Sequence, residues 1–223
     1  MPSLVRLTAN RAALSLLALA LACAACVKLE RQPLDKHYYA LEAARPAASA
    51  NTAAQSSETL LVRRLEAAPR ISGRELVYRT APSAWTADYY NLYFVSPADM
   101  LTQDLRAWLG AAHIFANVVD PASLAPSGYI LEGNVSALHG DFAVKPAQAV
   151  AQMQFILLRN TPGERQVVLT REYSRRVPLA ANTPQELVRA LREAVSGVYA
   201  GLEADLRAAV PDKVISGKAV SGK

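Results

Sequence analysis

The chain has 223 residues, of which 52% are hydrophobic, 19% charged and 7% aromatic. That length supports one ordinary domain with a sizeable core, and the composition excludes a wholly disordered chain and, with 10 glycines and 13 prolines, a fibrous repeat. The formal charge of +5 falls to about +3 once Arg6 and Arg11 are assigned to a removed N-terminal segment. The remaining Lys and Arg are mixed with Asp and Glu and form no basic stripe, so no nucleic-acid partner is expected.

The strongest local signal lies in the first thirty residues. Met1 to Arg11 carry two positive charges and no acid, Ala12 to Ala22 is apolar except for Ser15, and the first carboxylate is Glu30. This is the basic, apolar, then small-residue order of a secretory signal, and the apolar run is too short for a bilayer span, which takes about 20 residues. Both cysteines fall at its end, in Leu19-Ala20-Leu21-Ala22-Cys23-Ala24-Ala25-Cys26. The string resembles a bacterial lipobox, and Cys23 fits the acylated position better than its alternative Cys26, although Ala20 stands where Leu is more usual. An unlipidated cleaved signal, a Cys23–Cys26 disulfide and a metal pair are the competing readings. The metal reading lacks further ligands, because His37, His113 and His139 have no ligand spacing. The residue after the lipidated cysteine is Ala24 or Val27 and not Asp, which points to the inner leaflet of the outer membrane where the Asp retention rule applies.

The chain thus divides into a signal peptide over 1–22, a lipid anchor and tether over 23–57, a folded region over 58–210 and a flexible basic tail over 211–223. Within the tether, His37 to Leu41 reads as a short strand, and Ala43 to Ser57 has no apolar periodicity. Strands are predicted at Thr59 to Leu65, Glu75 to Thr80 and Tyr90 to Val95, with a turn at Pro69 to Gly73 and an extended hairpin tip around Pro82 to Trp85. Ser96-Pro97-Ala98-Asp99 opens a helix that runs to Leu109, with Gly110 as its stop. A strand at Ile114 to Val119 and a loop at Pro121 to Gly128 follow, then three long strands at Tyr129 to Phe142, Ala149 to Asn160 and Gln166 to Leu179. Thr161-Pro162-Gly163-Glu164 turns between the last two. Thr183-Pro184-Gln185-Glu186 caps a helix of about 25 residues whose Leu187, Leu191, Val195, Val198, Leu202 and Leu206 form one apolar stripe. Clustered strands with few helices predict an α+β fold, a mixed and mostly antiparallel sheet with helices packed on it.

No catalytic constellation emerges. There is no G-x-S-x-G elbow and no phosphate-cradling glycine loop, so neither enzyme activity nor a cofactor is expected. Aromatic residues instead crowd one hairpin. Tyr78, Tyr93 and Phe94 read as sheet packing, while Trp85, Tyr89 and Tyr90 are candidates for contact with a partner.

The lipobox cysteine, Tyr38-Tyr39-Ala40-Leu41, the run from Gly73 to Thr80 into the aromatic segment, and the Met100-Leu101 helix together resemble the ABC-type transport auxiliary lipoproteins, the PqiC-like family. One departure is Tyr93-Phe94-Val95-Ser96-Pro97, where relatives commonly carry a Trp-Ala-Glu-like stretch. The resemblance implies a body similar to the TolB N-terminal domain. It also implies a non-enzymatic, outer-membrane-anchored periplasmic lipoprotein. Its partners would be an MCE-domain protein and the associated ABC transporter, moving lipids between membranes, and a homo-oligomer is compatible with it. The alternatives are a lipoprotein that assembles or activates an envelope machine, such as a cell-wall synthase regulator, and a small-molecule-binding lipoprotein.

Overall fold

The computed structural model describes residues 35–46 and 54–211. The signal segment, Cys23, Cys26, part of the tether and residues 212–223 lie outside the described residues.

Nine strands build one mixed sheet: β1 His37–Tyr39, β2 Thr59–Val62, β3 Glu66–Ala67, β4 Glu75–Ala81, β5 Ala84–Tyr93, β6 Asn117–Val119, β7 Tyr129–Asp141, β8 Gln148–Thr161 and β9 Glu164–Pro178. Its long antiparallel ladders are β4–β5, β7–β8 and β8–β9, and short parallel pairings join β1 to β5 and β7 to β2, β3 and β4. The mixed α+β architecture is therefore as the element order predicts.

The long strands are rich in β-branched and aliphatic residues, and β8 shows the partial alternation of a strand with one buried face. Met153, Phe155 and Leu157 of β8 are fully buried, while Gln152 and Gln154 point to the other face. Gly163, at φ 86°, takes the left-handed position that closes the β8–β9 turn without a Cβ clash. Gly133 serves packing, since a Cβ there would stand 2.6 Å from Leu65 and 2.8 Å from Phe155.

Two helices cover one face, α1 Pro97–Ala112 and α2 Pro184–Ala209. Ser96 and Thr183 cap them, each hydroxyl accepting from the backbone N–H three residues on. All six residues of the α2 stripe are completely buried. At about 1.5–3 kcal/mol for each fully buried aliphatic side chain, that stripe is the principal hydrophobic contribution of the helix. Helix α1 runs past Gly110, the predicted stop, because Ala112 packs into the core and His113 supplies the left-handed cap at φ 53°. Ile114 and Phe115, expected at the start of a strand, are buried core side chains that precede β6.

The hairpin tip differs from expectation as well. Only Pro82 and Ser83 separate β4 from β5, so Trp85 and the residues after it lie in strand, consistent with their aromatic and Thr content. The segment after β1 is also better held than its composition implies. Leu41 is buried, the Ala43 N–H donates to Asp104, and the Ala44 N–H donates to Ser196.

Candidate functional site

The β5 strand is interrupted where its aromatics lie. Leu76 of β4 pairs with Asp88, but the next pair is Glu75 with Leu92, so Tyr89, Tyr90 and Asn91 bulge out of the ladder. The Asp88 carboxylate organises the bulge: it accepts from the backbone N–H groups of Tyr90 and Asn91, from the Asn91 amide, and from the Tyr78 hydroxyl at 2.7 Å. Burial works against ionisation of Asp88, but these donors outweigh it and hold its pKa below the usual carboxylate value. Tyr78 is pushed upward by burial and then by its bond to Asp88.

The bulge presents Tyr89, 65% exposed, stacked edge-to-face on Tyr90 at 5.2 Å, with the Lys36 ammonium 4.1 Å from the Tyr89 ring. Strand β1 runs beside it, its Tyr39 hydroxyl bonded to Asn91. Tyr38 and Phe94 meet edge-to-face on this edge, Arg74 lies over Tyr38, and both rings are exposed. Among the described residues β1 ends the sheet order and pairs with β5 alone, so its outer edge is unpaired there.

Trp85 stands apart from the tyrosine pair. Its indole meets the His139 ring edge-to-face at 4.8 Å, and the Arg70 guanidinium lies 4.7 Å over it. It belongs to a cavity on the sheet face opposite the helices, lined also by Arg79, Ser136, Asp141, Gln152 and Arg176. Arg79 and Asp141 form a bidentate pair at 2.9 and 2.5 Å there. Burial raises the Asp141 pKa, but Arg79 and the Ala143 N–H outweigh it and leave the carboxyl below its ordinary value.

The three aromatic candidates thus divide between two places, Tyr89 and Tyr90 on the open edge and Trp85 on the sheet face. Phe94, expected to pack within the sheet, is instead 67% exposed because it lies past the end of β5 against Tyr38, and the sequence offers no partner-binding signal for Tyr38, His139 or Asp141. What places them is the adjacency of β1 to β5 and the register of β7, and both need tertiary pairing to be seen. The lipidation candidates Cys23 and Cys26 lie outside the described residues. Among the described residues no group of three His, Cys, Asp or Glu side chains is placed to hold a metal ion, and no helix is long and apolar enough to cross a membrane.

Residues 39–201 match the family model of the ABC-type transport auxiliary lipoprotein component, which covers most of the chain. A crystal structure of a Xanthomonas campestris protein of the DUF330 family is similar at 21% identity and a TM-score of 0.64, covering 75% of this chain and 92% of that one. A second solved structure, of an uncharacterised protein, is similar at 17% identity and a TM-score of 0.60, covering 77% of this chain and 99% of that one. No curated protein matches. The chain belongs to the ABC-type transport auxiliary lipoprotein family, whose members are transport components and not an enzyme family.

Proposed function

We propose that this protein is an outer-membrane-anchored periplasmic lipoprotein serving an ABC transporter of the MCE type, which moves lipids between the two membranes. The family match over residues 39–201 carries the reading. Cys23, or in its place Cys26, receives the acyl chains. Each buried methylene contributes about 0.8 kcal/mol, so two or three chains make the attachment effectively permanent.

The folded body is the partner-binding part. Tyr89 and Tyr90, with Tyr38 and Phe94, form an exposed aromatic surface at an unpaired sheet edge, and aromatic side chains on a rigid scaffold supply most of the energy in protein contacts. An MCE-domain bridge arriving from the inner membrane docks on this edge, and its backbone extends the sheet beyond β1. Trp85, on the same strand but engaged by His139 and Arg70 on the sheet face, is peripheral to that contact. Anchoring both partners to the envelope raises their effective concentration, so modest intrinsic affinity is sufficient.

The test is affinity capture of the tagged, membrane-extracted protein with crosslinking, read by mass spectrometry together with the mass of the mature N-terminal peptide. An MCE-domain protein and a diacylated cysteine support the proposal. Cell-wall synthases and an unmodified terminus contradict it.

A further inference from the structure

We propose that the open face of the sheet carries a binding site for a phosphate group, formed by Arg70, Arg79 and Arg176 around His139 and roofed by Trp85. The strand register builds it. His139 of β7, Val150 of β8 and Arg176 of β9 stand side by side in one row, and Arg79 of β4 pairs with Trp85 on one side and Asp141 on the other. Arg70 reaches in from the short 3-10 turn Pro69–Ile71. Five strands and a turn therefore fix the lining, and sites carried on such elements are more sharply positioned than sites on loops.

Three observations point to an anion. The first is charge. Arg79 is neutralised by Asp141, whereas Arg70 and Arg176 form no ion pair or hydrogen bond with any carboxylate among the described residues. Asp141 is the one carboxylate in the lining, and Glu172 accepts a hydrogen bond from the lining residue Gln152. The second is an orphaned polar atom. His139 is 92% buried, and its Nδ1 has no hydrogen-bond partner among the described residues. The imidazole lines the cavity, and no other group among the described residues partners its Nδ1. The third is size: the cavity holds about 320 Å³, enough for a phosphate and a small headgroup but not for acyl chains.

Two uncommitted guanidinium groups favour phosphate over a single carboxylate, because each planar fork bonds two phosphate oxygens. Burial first, and then Arg79, Arg70 and Arg176, hold His139 down at about 4 despite Asp141, so the imidazole is neutral in the empty site at neutral pH. The other groups facing it, Trp85 from β5 and Val150 and Gln152 from β8, carry no charge. A bound phosphate offsets Arg70 and Arg176, the two guanidinium groups that Asp141 does not neutralise.

The shared chemistry is the phosphate group, and its sources are free phosphate or a phospholipid headgroup. Calorimetric titration of the whole mature protein at matched ionic strength separates them, with inorganic phosphate in one arm and dihexanoyl-phosphatidylglycerol below its micelle concentration in the other. The proposal expects binding in at least one arm, weakened at least tenfold by Arg70→Gln and by Arg176→Gln, and unchanged by Arg165→Gln at the far end of β9. Binding of phosphate alone assigns the free ion, and binding of the lipid with little for phosphate assigns the headgroup. Absence of binding in both arms, or binding that the two variants leave intact while their unfolding midpoints match the parent, overturns the site. This outcome is independent of partner capture, so its failure leaves the transport reading standing.

Discussion

Arg45 donates through both Nε and Nη2 to the Glu203 carboxylate, at 3.1 and 2.8 Å, and so fastens the segment that follows β1 to the longest helix of the fold. Glu203 also accepts from the Trp108 indole at 2.8 Å and from Arg207 at 3.0 Å. Burial opposes its ionisation, but Arg45, Arg207 and Trp108 outweigh burial and keep its pKa below the ordinary glutamate value. One carboxylate thereby joins the N-terminal segment, α1 and α2.

Arg45→Ala leaves Glu203 in a largely enclosed position with two donors fewer. A loss of about 1–3 kcal/mol in unfolding free energy is expected. Amide exchange of Leu41 to Arg45 rises in the same variant, whereas the β7–β9 amides keep their protection. Denaturant titration and hydrogen exchange read the two effects.

Asp104, which accepts from the Ala43 N–H, is pushed up to about 6 by burial, with Glu42 adding and the Ala43 bond and Arg192 opposing. A carboxyl whose folded pKa exceeds its unfolded value favours the protonated fold. Its contribution is therefore full below the unfolded value of about 4 and is lost as the pH rises to about 6. Asp104→Asn removes this titration. Between pH 4 and 6 the parent falls in stability relative to the variant, and above that window the difference is constant. Unfolding midpoints across the range measure it.

The α2 stripe predicts a core-sized penalty. Leu191 is fully buried, so Leu191→Ala costs about 2–5 kcal/mol. Replacing Arg192, on the outward side of the same turn, leaves the unfolding midpoint nearly unchanged.

Long periodic stretches were legible in the sequence, and local chemistry fixed by distant residues was not. The three long strands follow from their β-branched and aliphatic runs and from the Pro162-Gly163 turn, and α2 follows from its apolar stripe and the Thr183 cap. The end of α1 was misplaced because Gly110 resembles a stop, while burial of Ala112 decides the outcome. The Tyr89–Asn91 bulge depends on Asp88 meeting Tyr78 across the hairpin. Arg45 lies in an alanine-rich stretch with no pattern, and its partner stands 158 residues further along the chain. Trp85, Tyr89 and Tyr90 are all exposed, as their place beside the Pro-Ser turn predicts, but the separation of Trp85 from the tyrosine pair depends on the strand register.

Tyr89→Ala with Tyr90→Ala removes the exposed pair without touching the core. Partner capture is expected to fall at least tenfold, with the unfolding midpoint within a degree or two of the parent. Trp85→Ala produces a smaller loss of capture, since its ring is already engaged by His139 and Arg70.

The most direct test of the account places a photo-crosslinking residue at Tyr89 in the intact cell and, as a control, at Glu164 in the β8–β9 turn, and identifies the adducts by mass spectrometry. The account predicts an MCE-domain protein crosslinked from position 89 and not from position 164. Equal crosslinking from both positions, or adducts only with cell-wall synthases, would contradict it.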